Sequence, residues 1–313
     1  MTRLFFCTDL HGSEICFRKF LQAGRIYEAG VVIMGGDCTG KMIIPLVHSG
    51  NGTYRVEWAA GNFELSDAES LEEQETAIKN NGLYPVRMEP DEYESVQADP
   101  ERLKTLFHDV TLQTLGEWVE LAESRLRDSG VQVIITPGND DEFDVDDVLA
   151  ASEFIEAPEG KVTRIGGEYE MLSVGWSNPT PWDTPREYPE EKLSERIHEL
   201  AAQVENMEKA IFNIHVPPFN TGLDNAPELV SATQTRRGNS IMKPVGSTAV
   251  RDAILEYQPM LSLHGHIHES RGVQHLGRTT CVNPGSTYSE MTLQGVIVDV
   301  DGSDVKGYVL TTG

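Results

Sequence analysis

The sequence predicts an α/β fold, a sandwich of sheet and helix, on three observations. Short apolar runs alternate with amphipathic stretches along the chain. The apolar runs stop at polar, glycine-containing loops. The third is size: 313 residues with 39% hydrophobic and 24% charged side chains suit one large elaborated domain with a substantial core.

Taken in order, Arg3 to Cys7 (RLFFC) is short and apolar and reads as a strand, and Glu14 to Ala23 has the amphipathic spacing of a helix. Gly30 to Met34, Val131 to Thr136, Tyr169 to Gly175, Ala210 to Ile214 and Met260 to Leu263 read as further strands, rich in β-branched and large apolar residues. Longer amphipathic stretches predict helices at Pro100 to Ser129 and Arg186 to Met207. Past residue 270, Thr279 to Val282, Gly295 to Val300 and Lys306 to Leu310 predict hairpins that complete a second sheet. No internal repeat or low-complexity tract interrupts the pattern.

The interval from Cys38 to Gly130 is longer than a crossover between two strands requires. It predicts an insertion at about 42–129 within one domain spanning residues 1–313, made of a hairpin and an acidic helical segment. Asn51-Gly52 lies between β-like segments and marks the hairpin turn. Ser66-Asp67-Ala68-Glu69 has the form of a capping box and opens a helix. Between Glu64 and Glu101 stand 12 acidic and 2 basic residues, a solvated surface face by composition.

Charge narrows the partners. Lys and Arg total 25 against 50 Asp and Glu, a net charge of −25, which disfavours a nucleic-acid duplex or an anionic membrane surface. Arg236-Arg237 is an adjacent basic pair, insufficient against that background to argue for a nuclease acting on polymers. Small phosphorylated substrates remain compatible where bound cations offset the field. The opening MTRLFFCTDLHGSE turns polar after a very short apolar run, so it reads as neither signal peptide nor membrane span, and a cytoplasmic location is expected. Cys7, Cys16, Cys38 and Cys281 are too few and too scattered for a disulfide framework or a CxxC zinc site, and read as free thiols.

The chemistry sits at the ends of the expected strands. Thr8-Asp9-Leu10-His11 follows the first, Gly35-Gly36-Asp37 the second, Pro137-Gly138-Asn139-Asp140 the third, His215-Val216-Pro217-Pro218 the fourth, and His264-Gly265-His266-Ile267-His268 the fifth. Loops beyond the carboxyl ends of strands are where ligands gather in open α/β sheets. Asp9 and His11, like His266 and His268, are separated by one residue, so an extended chain would point each pair to one side. Mixed carboxylate and imidazole sets suit Zn, Mn, Fe or Ni, and a carboxylate such as Asp37 can bridge two ions. Two divalent ions about 3.5–4 Å apart would clamp a phosphoryl group and generate hydroxide near neutral pH. That chemistry is phosphoester hydrolysis.

The ordered series Asp-x-His, Gly-Asp, Gly-Asn, His and Gly-His-x-His resembles that of the calcineurin-like metallophosphoesterase superfamily, over essentially the whole chain outside the insertion. Asn283-Pro284-Gly285-Ser286, Gly36-Asp37-Cys38-Thr39-Gly40-Lys41 and His215 to Thr221 resemble its smaller prokaryotic members. The resemblance implies a four-layer α-β-β-α sandwich with two mixed sheets flanked by helices and the metal site at the C-terminal strand ends. It further implies one metal held by Asp9, His11 and His268, another by Asn139, His215 and His266, and Asp37 bridging both. His264 falls outside the series and is expected to orient a ligand.

One departure shapes the expected activity. Asp140 stands where many members of the superfamily carry a histidine; ionised, it would repel a phosphate dianion unless burial raised its pKa. The sequence therefore predicts a dinuclear metal-dependent phosphoesterase favouring small phosphodiesters over monoesters, acting through a metal-bridging hydroxide. Asp37, Asn139 and Asp140 are its catalytic candidates, and Asn139, His215 and Asn178 its substrate contacts. Ser177 to Trp182 would line the pocket. The alternative is a binding or scaffold protein that kept the fold without the chemistry; against it, all seven metal positions hold competent ligands.

Overall fold

Leu4 and Phe6 face one way from the first strand and Phe5 and Cys7 the other, and that alternation builds the layers. A computed structural model describes residues 1–313 apart from 232–233 and 236–240. One sheet has the strand order 304–312, 294–301, 2–7, 31–35, 132–136. The second runs 272–276, 279–283, 261–263, 211–214, 169–174, 162–165. In both, the central strands are parallel and the flanking hairpins antiparallel.

The inner faces of the two sheets share one core, with Leu4, Phe6, Ile33 and Val298 from the first meeting Met171, Ile211, Leu263 and Val282 from the second. On the outer face of the first sheet, Phe5, Cys7, Val32 and Met34 pack under the helices Glu14–Ile26, Pro100–Leu126 and Asp144–Ala150, with Phe17 stacked on Trp118. Behind the second, Leu172, Val174, Phe212 and Ile214 pack under Glu190–Ala201 and Thr248–Tyr257. The result is the four-layer α-β-β-α arrangement, each central strand being buried on both faces, which is why these runs are continuously apolar.

Three of these expectations need correction. The C-terminal hairpin Gln294–Asp301 and Asp304–Thr312 completes the first sheet, not the second: its inner strand pairs antiparallel with Thr2–Cys7, where Val296, Val298 and Val300 fill the shared core beside Leu4 and Phe6. Only Thr279–Asn283 of the three runs joins the second. The helix placed at 186–207 spans Glu190–Ala201, because Pro189 disfavours helical geometry at the residue before it and sets the start. The helix after residue 66 is capped by Asp67, whose carboxylate accepts from the Ser70 amide at 2.8 Å, so Ser66 is not the cap.

The interval after Cys38 holds more than a hairpin. It forms a sheet ordered 61–65, 53–58, 43–50, 84–88, with 43–50 and 84–88 parallel and the helix Ala68–Asn80 crossing between. Ile44, Leu46, Val56, Leu65, Leu71 and Ile78 give it a core of its own. It meets the main body beside His11: Ser13 Oγ donates to Asn80 O at 2.7 Å, and Gly40 N to the Tyr84 hydroxyl at 2.7 Å. The four cysteines are buried and unpaired. Among the described residues, no helix is long and apolar enough to cross a membrane.

Candidate metal centre and cavity

The strand ends of both sheets open on the same edge of the sandwich, and their loops converge there. Four of the residues in them hold a left-handed backbone: Asp9 (φ 55°), His11 (φ 42°), Asp37 (φ 50°) and His266 (φ 66°). The extended geometry expected for Asp9 and His11, and for His266 and His268, is therefore wrong; the chain turns tightly instead. Such backbone is costly for residues with side chains, and it persists because neighbouring loops lock it. Asp9 N donates to Gly36 O and His11 N to Asp37 O, both at 2.9 Å.

The side chains fall into two groups that share Asp37. Asp9, His11, Asp37 and His268 form one, and Asp37, His215 and His266 the other, with one potential ligand atom from each residue within 4.8 Å of the rest of its group. In the first, His11 Nε2 is 3.2 Å from His268 Nε2 and 3.5 Å from Asp37 Oδ2, and His268 Nε2 is 3.3 Å from Asp9 Oδ1. In the second, His215 Nε2 is 3.4 Å from Asp37 Oδ2. Asn139 adds its Oδ1 to this group, 2.6 Å from His266 Nδ1, with the amide oriented by Asn139 Nδ2 donating to Thr184 Oγ1 at 3.0 Å.

Two tests of fit favour cations here. Asp9 and Asp37 are almost completely buried carboxylates, and buried negative charge demands a counter-charge. Among the side chains that charge comes from imidazoles. Burial opposes ionisation of His215, but the negative charge of Asp37 beside it, with that of Asp9, raises its pKa to about 10. Burial likewise opposes ionisation of Asp9, yet His268 and His215 lower its pKa to about 2. His11 is driven the other way, down to about 3, chiefly by burial. The second test is orphaned atoms. His11 Nδ1 and His215 Nε2 are buried with no hydrogen-bond partner among the described residues. His215 Nδ1 is committed to Gly35 O at 3.0 Å, so Nε2 is the atom facing the carboxylates. Carboxylates and imidazoles converging this closely suit divalent transition-metal ions.

Glycine makes the approach possible at two places. A Cβ on Gly36 would lie 2.2 Å from His215 Nδ1, and one on Gly138 2.2 Å from Asp37 Oδ1. Each motif glycine thus reserves space for a ligand from another loop.

His264 does not join either group. Its Nδ1 lies 2.8 Å from Ile214 O and 3.2 Å from Val216 O, and its Nε2 2.8 Å from Ser262 Oγ. It grips the backbone on both sides of His215. Burial lowers its pKa to about 4. The Asn-Pro-Gly-Ser turn works similarly: Asn283 Nδ2 donates to Gly265 O and Ile267 O, bracketing His266, and Ser286 Oγ donates to Asp9 O at 2.7 Å.

Three contributors escaped the sequence reading. Asp141 is fully buried and accepts from Cys38 N, Thr39 N, Thr39 Oγ1 and Gly138 N at 2.6–2.9 Å, tying the Asp37 loop to the Asn139 loop. Its place directly after Asn139-Asp140 was the available signal. Lys41, inside a motif already noted, pairs with Asp140, Nζ to Oδ2 at 2.5 Å. Arg186, also buried, donates to Asp141 O and Glu142 O and pairs with Asp146; nothing in sequence separates it from a surface arginine.

The groups sit at the inner end of a cavity of about 680 Å³. His11, Asp37, Asn139, Asp140, His266 and His268 line that end together with Lys41; Asn178 and the Pro179 to Trp182 loop line the outer part. His215, expected in sequence as a substrate contact as well as a ligand, is buried beside Asp37 and is not among the residues that line the cavity. Asp140 donates its backbone N–H to Asp37 Oδ1 at 3.0 Å, and burial together with Asp37 raises its pKa to about 6. The repulsion expected of it is offset by its ion pair with Lys41. Arg236-Arg237 lies outside the described residues.

No family model matches the chain. Over 173 residues it is 31% identical to the uncharacterized protein MJ1162 of Methanocaldococcus jannaschii, a match covering 54% of this chain and 71% of that protein. Its fold is similar to that of TT1561 of Thermus thermophilus, with a TM-score of 0.55 at 14% identity, covering 100% of this chain and 98% of the other.

Proposed function

The chain belongs to one family with MJ1162, and we propose that it is a calcineurin-like metallophosphoesterase, a dinuclear metal-dependent hydrolase of small phosphodiesters, working in the cytoplasm. The observation that carries the reading is the sharing of Asp37 by two groups of potential ligands, both of which contribute residues to the lining of one cavity. Asp9, His11 and His268 would hold one cation, Asn139, His215 and His266 the other, and Asp37 both. Divalent ions in these positions, of which Mn, Fe, Zn and Ni suit the ligands, supply positive charge for phosphoryl oxygens and acidify water at neutral pH.

The remaining roles belong to the chain's own atoms. Asn139 stands on the cavity wall as well as beside His266, so its amide is placed to contact phosphate. Asp140 holds Lys41, whose half-exposed ammonium is the donor next to the ligand groups and is placed to meet a phosphoryl or leaving oxygen. Because Asp140 consumes much of that charge, the cavity edge suits the single negative charge of a diester better than a dianion. The outer cavity supplies room for the second substituent.

Turnover of bis-p-nitrophenyl phosphate and p-nitrophenyl phosphate by Mn²⁺-loaded protein tests this. Faster diester hydrolysis, abolished by chelator, is expected. Equal or faster monoester turnover removes the diester preference, and no turnover of either removes the enzyme.

A further inference from the structure

Away from the ligand groups the cavity becomes apolar. Pro179, Pro181 and Trp182 form one wall, and Pro227, Val245 and Ile267 complete the lining. A phosphoryl group bound among Asp37, Asn139 and His266 would fill only the inner end of this 680 Å³ space. The Pro179 to Trp182 wall is also built rigidly. Thr180 and Thr184 each donate both backbone N–H and hydroxyl to Glu187, at 2.5–2.9 Å, and Asn178 Nδ2 donates to Val245 O at 3.3 Å. On this pinned loop Trp182 remains 57% exposed. A large aromatic surface fixed at the mouth of a catalytic cavity is unfavourable in water and becomes favourable once covered.

We propose that this arm binds the organic substituent of the substrate, that the substituent is an apolar ring, and that Trp182 determines the preference by packing against it. This rests on the phosphoesterase reading above. Proline rings and an indole offer flat apolar contact and few hydrogen bonds, which suits an aromatic group and not a polyol or a second charged headgroup. Of the charged side chains on the cavity wall away from the ligand groups, Glu228 and Lys243 are paired with each other, and Glu269 is acidic. The pair offsets itself and Glu269 adds negative charge, so the wall offers little to attract a second anionic group.

Calorimetric binding of phenylphosphonate and methylphosphonate to the Mn²⁺-loaded protein separates the claims, since the two probes differ only in the ring. Phenylphosphonate is expected to bind about tenfold more tightly. Trp182→Ala should bring the ratio close to one and Trp182→Phe should retain most of it, while Tyr308→Ala, at an exposed position outside the cavity, should keep the unsubstituted ratio. Equal affinity for both probes, or a preference that survives Trp182→Ala, overturns the inference and leaves the phosphoesterase reading standing. Failure of both phosphonates to bind overturns that reading as well.

Discussion

Lys41 and Asp140 form an ion pair at the rim of the ligand groups, Nζ to Oδ2 at 2.5 Å, although they come from different loops and from opposite sides of the insertion. The pair places a cation and an anion against the same cavity wall as Asp37 and Asn139. Its two members should therefore not behave alike on substitution. Lys41→Met is expected to lower kcat/KM for the diester by on the order of ten- to a hundredfold with little change in metal content. Lys41→Arg should recover part of the loss. Steady-state kinetics beside metal analysis checks both, and unchanged kinetics in Lys41→Met would remove Lys41 from the reaction.

Asp37 is the residue common to both groups, so Asp37→Asn should impair both cation positions together. The expected outcome is fewer than two equivalents of Mn²⁺ in equilibrium dialysis and activity reduced by on the order of a thousandfold or more. Retained turnover with two bound ions would refute the assignment.

His264 offers a contrast, because it holds the backbone around His215, a proposed ligand, and belongs to neither ligand group. His264→Leu strands Ile214 O, Val216 O and Ser262 Oγ in a fully buried setting. A loss of about 2–4 kcal/mol in urea unfolding is expected, with metal affinity weakened about tenfold through His215. Undiminished affinity would confine His264 to a packing role.

Glu159 gives a pH dependence remote from the cations. Burial raises its pKa to about 7, against the hydrogen bond from Gly175 N at 2.8 Å. Between the usual glutamate value near 4.3 and about 7, the unfolded chain ionises this carboxyl while the folded protein keeps it protonated. Its contribution to stability is present below that window, falls as pH rises through it, and is constant above. Glu159→Gln should flatten the decline by about 1–2 kcal/mol, a value reduced from the full shift because the side chain is only partly buried. Denaturant midpoints at pH 5 and pH 8 measure it; parallel midpoints in both proteins would count against the assignment.

The strands were legible because each is a run buried on both faces, and the order of their loops was legible because ligand-bearing residues sit within five positions of each strand end. Sheet membership was not. Val296, Val298 and Val300 alternate equally well in either sheet, and only their antiparallel pairing with Thr2–Cys7 decides it. The local shape of the site was also hidden, since the left-handed turns at Asp9 and His266 are held by hydrogen bonds from Asp9 N to Gly36 O and from His266 N to the Asp9 carboxylate, all tertiary. Lys41 was visible as a residue but not as the partner of Asp140, because about a hundred residues of insertion and helix lie between them. Arg186 was read as part of a helix, and its burial against Phe143 and Asp146 left no mark in local sequence.

Asp9, His11, Asp37 and Asn139 hang from one sheet, and His215, His266 and His268 from the other. Neither half of the sandwich owns the whole of the proposed ligand set, so ion capture at this centre would emerge only after the halves have docked in register, and would then clamp them across their shared edge. Ion affinity would thereby gauge sheet-to-sheet alignment, and should respond to a core substitution such as one at Phe6 or Leu263 that lies outside both ligand groups.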